Sequence, residues 1–139
     1  MYVYVDSTAS LEYFKENSPV DFRVKLSKQL TLQGLWEVAV VNVSFPVTGS
    51  NYKPEIIYIN SSMCQDSVLN GTLQPILCSI HRSEFRNRHV VFSRPSYVRV
   101  NTDQLTVLRV YLRDNENQSP SFQPGALYCT LHFRKCRHL

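Results

Sequence analysis

The chain has 139 residues, a hydrophobic fraction of 43%, a charged fraction of 19% and a formal net charge of +4. This describes one folded domain over residues 1–139, too short for two ordinary cores and too apolar for disorder, with no run near the roughly 18–20 apolar residues of a membrane-crossing helix. A pI near 9.0 implies mild attraction to polyanions, although a small domain needs some net charge simply to stay soluble.

In chain order, residues 2–5 read as a short strand and 7–18 as a polar connection. Within it, 9–15 is expected to make a single helical turn, because Leu11 and Phe14 lie three apart. Over 22–32, Phe22, Val24 and Leu26 alternate with Arg23, Lys25 and Ser27, the period of a half-buried strand. A turn at Gln33-Gly34 leads to 36–46, where Trp36, Val38, Val40, Val41 and Val43 precede Phe45-Pro46. This second strand is apolar on both sides and is expected to be covered on both. A loop over 49–54 precedes a strand at 55–61. Residues 62–73 look irregular apart from a strong turn signal at Asn70-Gly71.

Further strands are expected at 75–81, 105–113 and 126–134, with a basic connection over 82–91 and a polar, acidic loop over 114–121. Phe92 and residues 97–100 flank Arg94-Pro95, and 101–104 reads as a turn. In the last strand Leu127, Cys129, Leu131 and Phe133 share one face, opposite Tyr128, Thr130, His132 and Arg134. About eight strands with almost no helical periodicity make an antiparallel sandwich or barrel. The length favours an eight-stranded jelly roll. Trp36 precedes every cysteine, which removes the Cys…Trp…Cys order of an immunoglobulin sandwich.

Chemistry-bearing motifs are few. The sequence has no GxSxG elbow, no phosphate-cradling glycine loop and no HExxH, and only four glycines in all. Asp114 and Glu116 read as members of a solvated turn rather than an acid/base pair. Cys129, His132, Cys136 and His138 have a metal-like spacing, but in a strand 129 and 132 point to opposite faces, so zinc is not expected. No cofactor is expected either.

Cys64, Cys78, Cys129 and Cys136 form no CxxC pair. Residues 1–10 lack the features of a secretory signal, so reduced thiols are expected. The basic residues His81, Arg82, Arg86, Arg88, His89 and Arg94, with Arg134, Lys135, Arg137 and His138 at the end, lack interleaved stacking aromatics. A solvated loop or a subunit rim suits them at least as well as a weak contact with nucleic acid. Eight tyrosines are present; with arginine, tyrosine is typical of interface hot spots, but it is also an ordinary strand former.

The run FRVKLSKQLTLQGLWEVAVVNVSFP (22–46), with a β segment ahead of it, carries an alternating strand, a Leu-x-Leu-x-Gly turn, Trp-Glu-Val-Ala and a closing aromatic-Pro. It resembles the N-terminal part of the penton (minor capsid) proteins of Polinton/Maverick elements, adintoviruses and related adenovirus-like viruses. The C-terminal run from Val110-Tyr111-Leu112-Arg113-Asp114 through Gly125 to Leu131-His132-Phe133-Arg134-Lys135 is similar to that family's end. The resemblance implies a non-enzymatic virion protein: a single jelly roll assembling as a homopentamer at icosahedral vertices, beside a double-jelly-roll major capsid protein. It also implies assembly inside the host cell, in nucleus or cytoplasm, and the short length fits a bare jelly roll without fibre-anchoring insertions.

On that reading the interface candidates are Tyr2 and Tyr4 in the first strand, and the loops carrying Tyr52 and Lys53, Phe85, Arg86 and Arg88, and Asn115 to Phe122. Trp36, Val38, Val40, Phe22, Val24, Leu26, Leu108, Val110, Leu131 and Phe133 are expected in the core. The alternative is a secreted or cell-surface β-sandwich binding module, either a trimeric cytokine-like ligand or a carbohydrate binder. Four Asn-x-Ser/Thr sequons, at Asn42, Asn60, Asn70 and Asn117, favour it; the missing signal and unpaired cysteines oppose it.

Overall fold

A computed structural model describes residues 1–85 and 88–137. The strands are β1 (Tyr2–Asp6), β2 (Asp21–Thr31), β3 (Trp36–Ser44), β4 (Ile56–Asn60), β5 (Ser67–Leu69), β6 (Thr72–Gln74), β7 (Ile76–His81), β8 (His89–Val91), β9 (Val98–Arg99), β10 (Gln104–Asp114) and β11 (Tyr128–Lys135). One helical turn, α1 (Arg82–Phe85), interrupts them. The chain is therefore all-β, and every strand pair is antiparallel. No helix among the described residues is long and apolar enough to cross a membrane.

Two sheets form a sandwich. One runs β1-β11-β3-β8, with β9 also pairing to β3; the other runs β2-β10-β4-β7. Their inner faces meet in a single core. Phe22, Leu108, Val110 and Leu112 enter it from one sheet, and Val38, Val40, Leu131 and Phe133 from the other, all at most 2% exposed. Each such side chain contributes about 1.5–3 kcal/mol on burial. The expected inward set of the last strand, Leu127, Cys129, Leu131 and Phe133, is buried as the alternation requires. Trp36, Val24 and Leu26 are only partly buried and pack on its margin.

The valine-rich strand β3 departs from strict alternation. Thr130 pairs with Asn42 but Leu131 pairs with Val40, so Val41 is an extra residue on β3. A bulge of this kind shifts the alternation by one, and Val40 and Val43 both end up in the core. Val38, Val40 and Val43 thus share one inner face across a mid-strand phase change. On the other side Ala39 is fully buried and Val41 half-buried, so the middle of the strand is covered on both sides as expected.

Residues expected to be irregular over 62–73 contain most of a hairpin, β5–β6. Its turn is Asn70-Gly71, with φ of 50° and 79°. The connection over 82–91 likewise contains α1 and β8. The expected turn in 9–15 is present as the Phe14 N–H donating to the Ser10 carbonyl at 2.9 Å. The 7–18 connection also protects a sheet edge: Ser10 Oγ accepts from Lys25 N (3.0 Å), and the Asn17 amide bonds both N–H and C=O of Arg23. The open side of β2 is thereby blunted against pairing with another chain.

Candidate interface at one end of the sandwich

The β3–β4, β7–β8 and β10–β11 connections meet at one end of the molecule. Pro46 ends β3, since it has no N–H to continue the ladder, and Gly125 lies close enough that a Cβ there would sit 3.2 Å from Pro46 Cβ. Gly49 N–H donates to Ser121 C=O (3.1 Å) and Gln123 N–H to Val47 C=O (2.6 Å), stitching the first loop to the third. Phe45 N–H donates to Arg88 C=O (2.7 Å), and Arg82 N–H to Glu55 C=O (2.9 Å), stitching it to the second.

Between these loops lies a cleft of about 500 Å³ lined by Phe45, Tyr52, Ile57, Phe85 and Phe122, with Lys53, Arg82 and Arg88 among its walls. Phe45 is its floor, buried, with the Phe122 ring centroid at 5.9 Å and the Phe85 centroid at 6.5 Å edge-on. Such arrangements are favourable beyond their area. Phe85 and Phe122 remain half-buried, so each presents part of a ring to the outside.

Asp114 positions the third loop. It was expected in a solvated turn, yet it is 6% exposed. Its Oδ1 accepts the N–H groups of Glu116 (2.9 Å) and Gln118 (3.0 Å), and its Oδ2 accepts the Tyr52 hydroxyl (2.9 Å). Burial, then this bond to Asp114, pushes the Tyr52 phenol well above its ordinary value. Asn117 takes a positive φ of 58° in the same loop, a conformation asparagine tolerates.

Five interface candidates from sequence therefore come together here: Tyr52, Lys53, Phe85, Arg88 and Phe122. Asn115 lies beside them, but its Oδ1 accepts from Glu55 N (3.1 Å) and Ile56 N (3.5 Å), so it holds the start of β4. Arg86 lies outside the described residues. Tyr2 and Tyr4 are 59% and 77% exposed on the edge strand β1 and do not line the cleft.

No family model and no curated protein matches this chain.

Sequence reading missed Phe45, Arg82 and Asp114 as parts of this end. Phe45 looked only like a strand terminus, and nothing local shows that two distant loops fold over it. Arg82 is committed to the fold: it pairs with Glu55 at 2.8 Å and donates to the carbonyls of Lys53 and Pro54. The basic residues are not gathered on one face. Arg82 and Arg88 border the cleft, Arg94 lines a separate depression with Phe92, and Arg134 lies 3.4 Å over the Tyr97 ring.

That last pair belongs to a second cluster, on the outer side of the β1-containing sheet. The Tyr97 hydroxyl meets His132 Nδ1 at 2.8 Å, Tyr2 packs on the imidazole with centroids 4.5 Å apart, and Arg134 pairs with Glu37 at 2.7 Å. Burial, then the Met1 amine and Arg134, lower the His132 pKa. Cys129 is buried on the inner side, so the two residues of the metal-like spacing do lie on opposite faces; His138 is outside the described residues. Among the described residues no group of three His, Cys, Asp or Glu side chains is placed to hold a metal.

Proposed function

We propose that this chain is a structural virion protein, a penton-type minor capsid subunit that closes as pentamers at icosahedral vertices beside a double-jelly-roll major capsid protein. The strand order supports the single jelly-roll reading. First and last strands are neighbours, β2 lies beside β10, and the short strands β8 and β9 share one side of β3. Taking those two together as one strand position, the five- and four-stranded sheets match the interleaved order of a jelly roll.

The observation that carries the functional reading is the cleft. Three loops remote in sequence deliver aromatic side chains and cations to one end of the sandwich, with Phe85 and Phe122 still half-open. Ring closure needs a heterologous contact, in which one patch meets a different patch on the next copy. An aromatic cleft edged by Lys53 and Arg88 is suited to receive such a patch. Tyr2 and Tyr4 on β1 offer a second exposed aromatic surface on the same chain.

Light scattering across a concentration series tests this. A five-subunit mass is expected for the native chain, and a folded monomer for Phe122→Asp with an unchanged circular dichroism spectrum. A trimer, or a monomer at every concentration even with the major capsid protein added, would refute the reading.

A further inference from the structure

The geometry points to a binding site for a single neutral sugar ring on the outer side of the β2-containing sheet, under the β5–β6 hairpin. The pocket holds about 160 Å³ and is lined by Tyr58, Asn60, Thr72, Gln74, Arg113 and Asn115 among others. That volume is about five times the liquid share of one water, at about 30 Å³ each. One small ring fills it, and a longer glycan enters only by a terminal residue.

Asn60 is the decisive residue. It is 2% exposed, and its Oδ1 has no hydrogen-bond partner. A buried acceptor left unpaired is costly, and native structures contain few of them. The amide orientation is set by Nδ2, which faces the Tyr58 carbonyl at 3.5 Å; the reverse orientation would set two oxygens against each other. An unmet acceptor is therefore part of the pocket. Asn60 also heads a sequon, and its burial rules out its use as a glycan acceptor in this fold.

The other groups narrow the ligand class. Arg113 stacks over Tyr111 at 5.2 Å and donates through Nη1 to Leu112 C=O and Ser119 Oγ. Among the described residues it has no carboxylate partner. Both Asp114 oxygens are engaged, Oδ1 by the Glu116 and Gln118 N–H groups and Oδ2 by the Tyr52 hydroxyl. Asp114 also lines the pocket, but three of its roughly four acceptor sites are taken, so a cation would find one carboxylate site beside the Arg113 charge, too few to hold it. A carboxylate or phosphate would set its oxygens against Asn60 Oδ1.

A sugar hydroxyl satisfies both demands: it donates to Asn60 Oδ1 and accepts from Arg113, while Thr72 and Gln74 supply further polar contacts. This inference stands apart from the capsid reading and holds whether or not the chain forms rings.

The test is a ¹⁵N NMR titration of the full chain with glucose, galactose, N-acetylglucosamine, their methyl glycosides and one disaccharide, with glycerol as control. At least one sugar is expected to give saturable shifts at the Asn60 side-chain amide and at Thr72–Gln74. Binding by the disaccharide as well would mark the terminal residue of a glycan as the source; binding by monosaccharides alone would mark a free sugar. Asn60→Leu is expected to weaken binding about tenfold or more, as loss of a buried hydrogen bond implies, and to leave Tm unchanged or higher. Should that variant fail to fold, Thr72→Val and Gln74→Ala, on the hairpin, decide instead by the same loss of affinity. No saturable shift with any sugar, or shifts matched by glycerol, would overturn the proposal.

Discussion

Replacing Asp114 with alanine is expected to unseat the loop that carries Phe122. The substitution removes three hydrogen bonds, two to the backbone N–H groups of Glu116 and Gln118 and one to the Tyr52 hydroxyl. Bonds to a charged acceptor are worth about 1.5–3 kcal/mol each. Glu116 and Gln118 are exposed, so water recovers much of the loss at those two donors. The Tyr52 hydroxyl, in a half-buried residue, recovers less.

The net loss is about 2–4 kcal/mol, or about 8–16 °C in Tm for a domain of this size. Asp114→Asn keeps Oδ1 for both N–H groups and turns an NH₂ toward a hydroxyl that can also accept, so it is expected to cost only about 1 kcal/mol. Urea denaturation measures both variants, and an unchanged m-value would confine the effect to the folded state. A double-mutant cycle with Tyr52→Phe is expected to show coupling of about 1 kcal/mol between the two side chains. A loss below about 0.5 kcal/mol for Asp114→Ala, or no coupling, would refute Asp114 as the anchor of this end.

Phe133, fully buried, is expected to cost about 3–5 kcal/mol when cut to alanine, read as a fall in urea midpoint. Asp21 makes a two-point pair with Arg109, at 3.0 and 2.8 Å. That hydrogen bond, opposed by burial and aided by the Arg109 charge, holds the carboxyl below its usual value. A carboxyl depressed in the folded state stabilises above its unfolded pKa of about 3.9 and loses that contribution as pH falls through the lower folded value. Asp21→Asn should therefore cost at most about 1 kcal/mol at pH 7, the pair being about one-third exposed, and flatten the stability profile below about pH 4. Burial pushes the Cys64 thiol up to about 11 and the Cys129 thiol up to about 12, and raises Cys78. Cys78 and Cys136 are both partly accessible, but burial raises the Cys78 thiol. Thiol titration of the native chain at pH 8 is therefore expected to label Cys136 first, and Cys136→Ser to remove that fast phase, while unfolding exposes all four.

Much of the fold is readable from local patterns. Phe22-Arg23-Val24-Lys25-Leu26 alternates with the period of a strand, and so does the final run from Leu127 to Phe133; both side-chain sets face where the alternation points. Asn70-Gly71 marks a tight turn by backbone preference alone, although the short strands beside it, with exposed Val68 and Leu73, carry too little burial signal to be read. At the candidate interface, the loop aromatics Tyr52, Phe85 and Phe122 stand out because a connection seldom needs large apolar side chains. Asp114 does not stand out, since a carboxylate beside Asn115, Glu116 and Asn117 looks like any polar loop until its three donors are known.

The amino-acid order alone determined an all-β chain, the residues that face inward on most strands, and the loops richest in contact-forming side chains. These are consequences of side-chain period and turn preference, which act over a few neighbouring residues. The tertiary structure decided the rest: the Val41 bulge, the neighbours of each strand, the burial of Asp114 and Asn60, and the meeting of three loops over Phe45. Each of these depends on pairing between segments far apart in the chain, such as β3 with β11, and no short-range pattern specifies which distant segment supplies the partner.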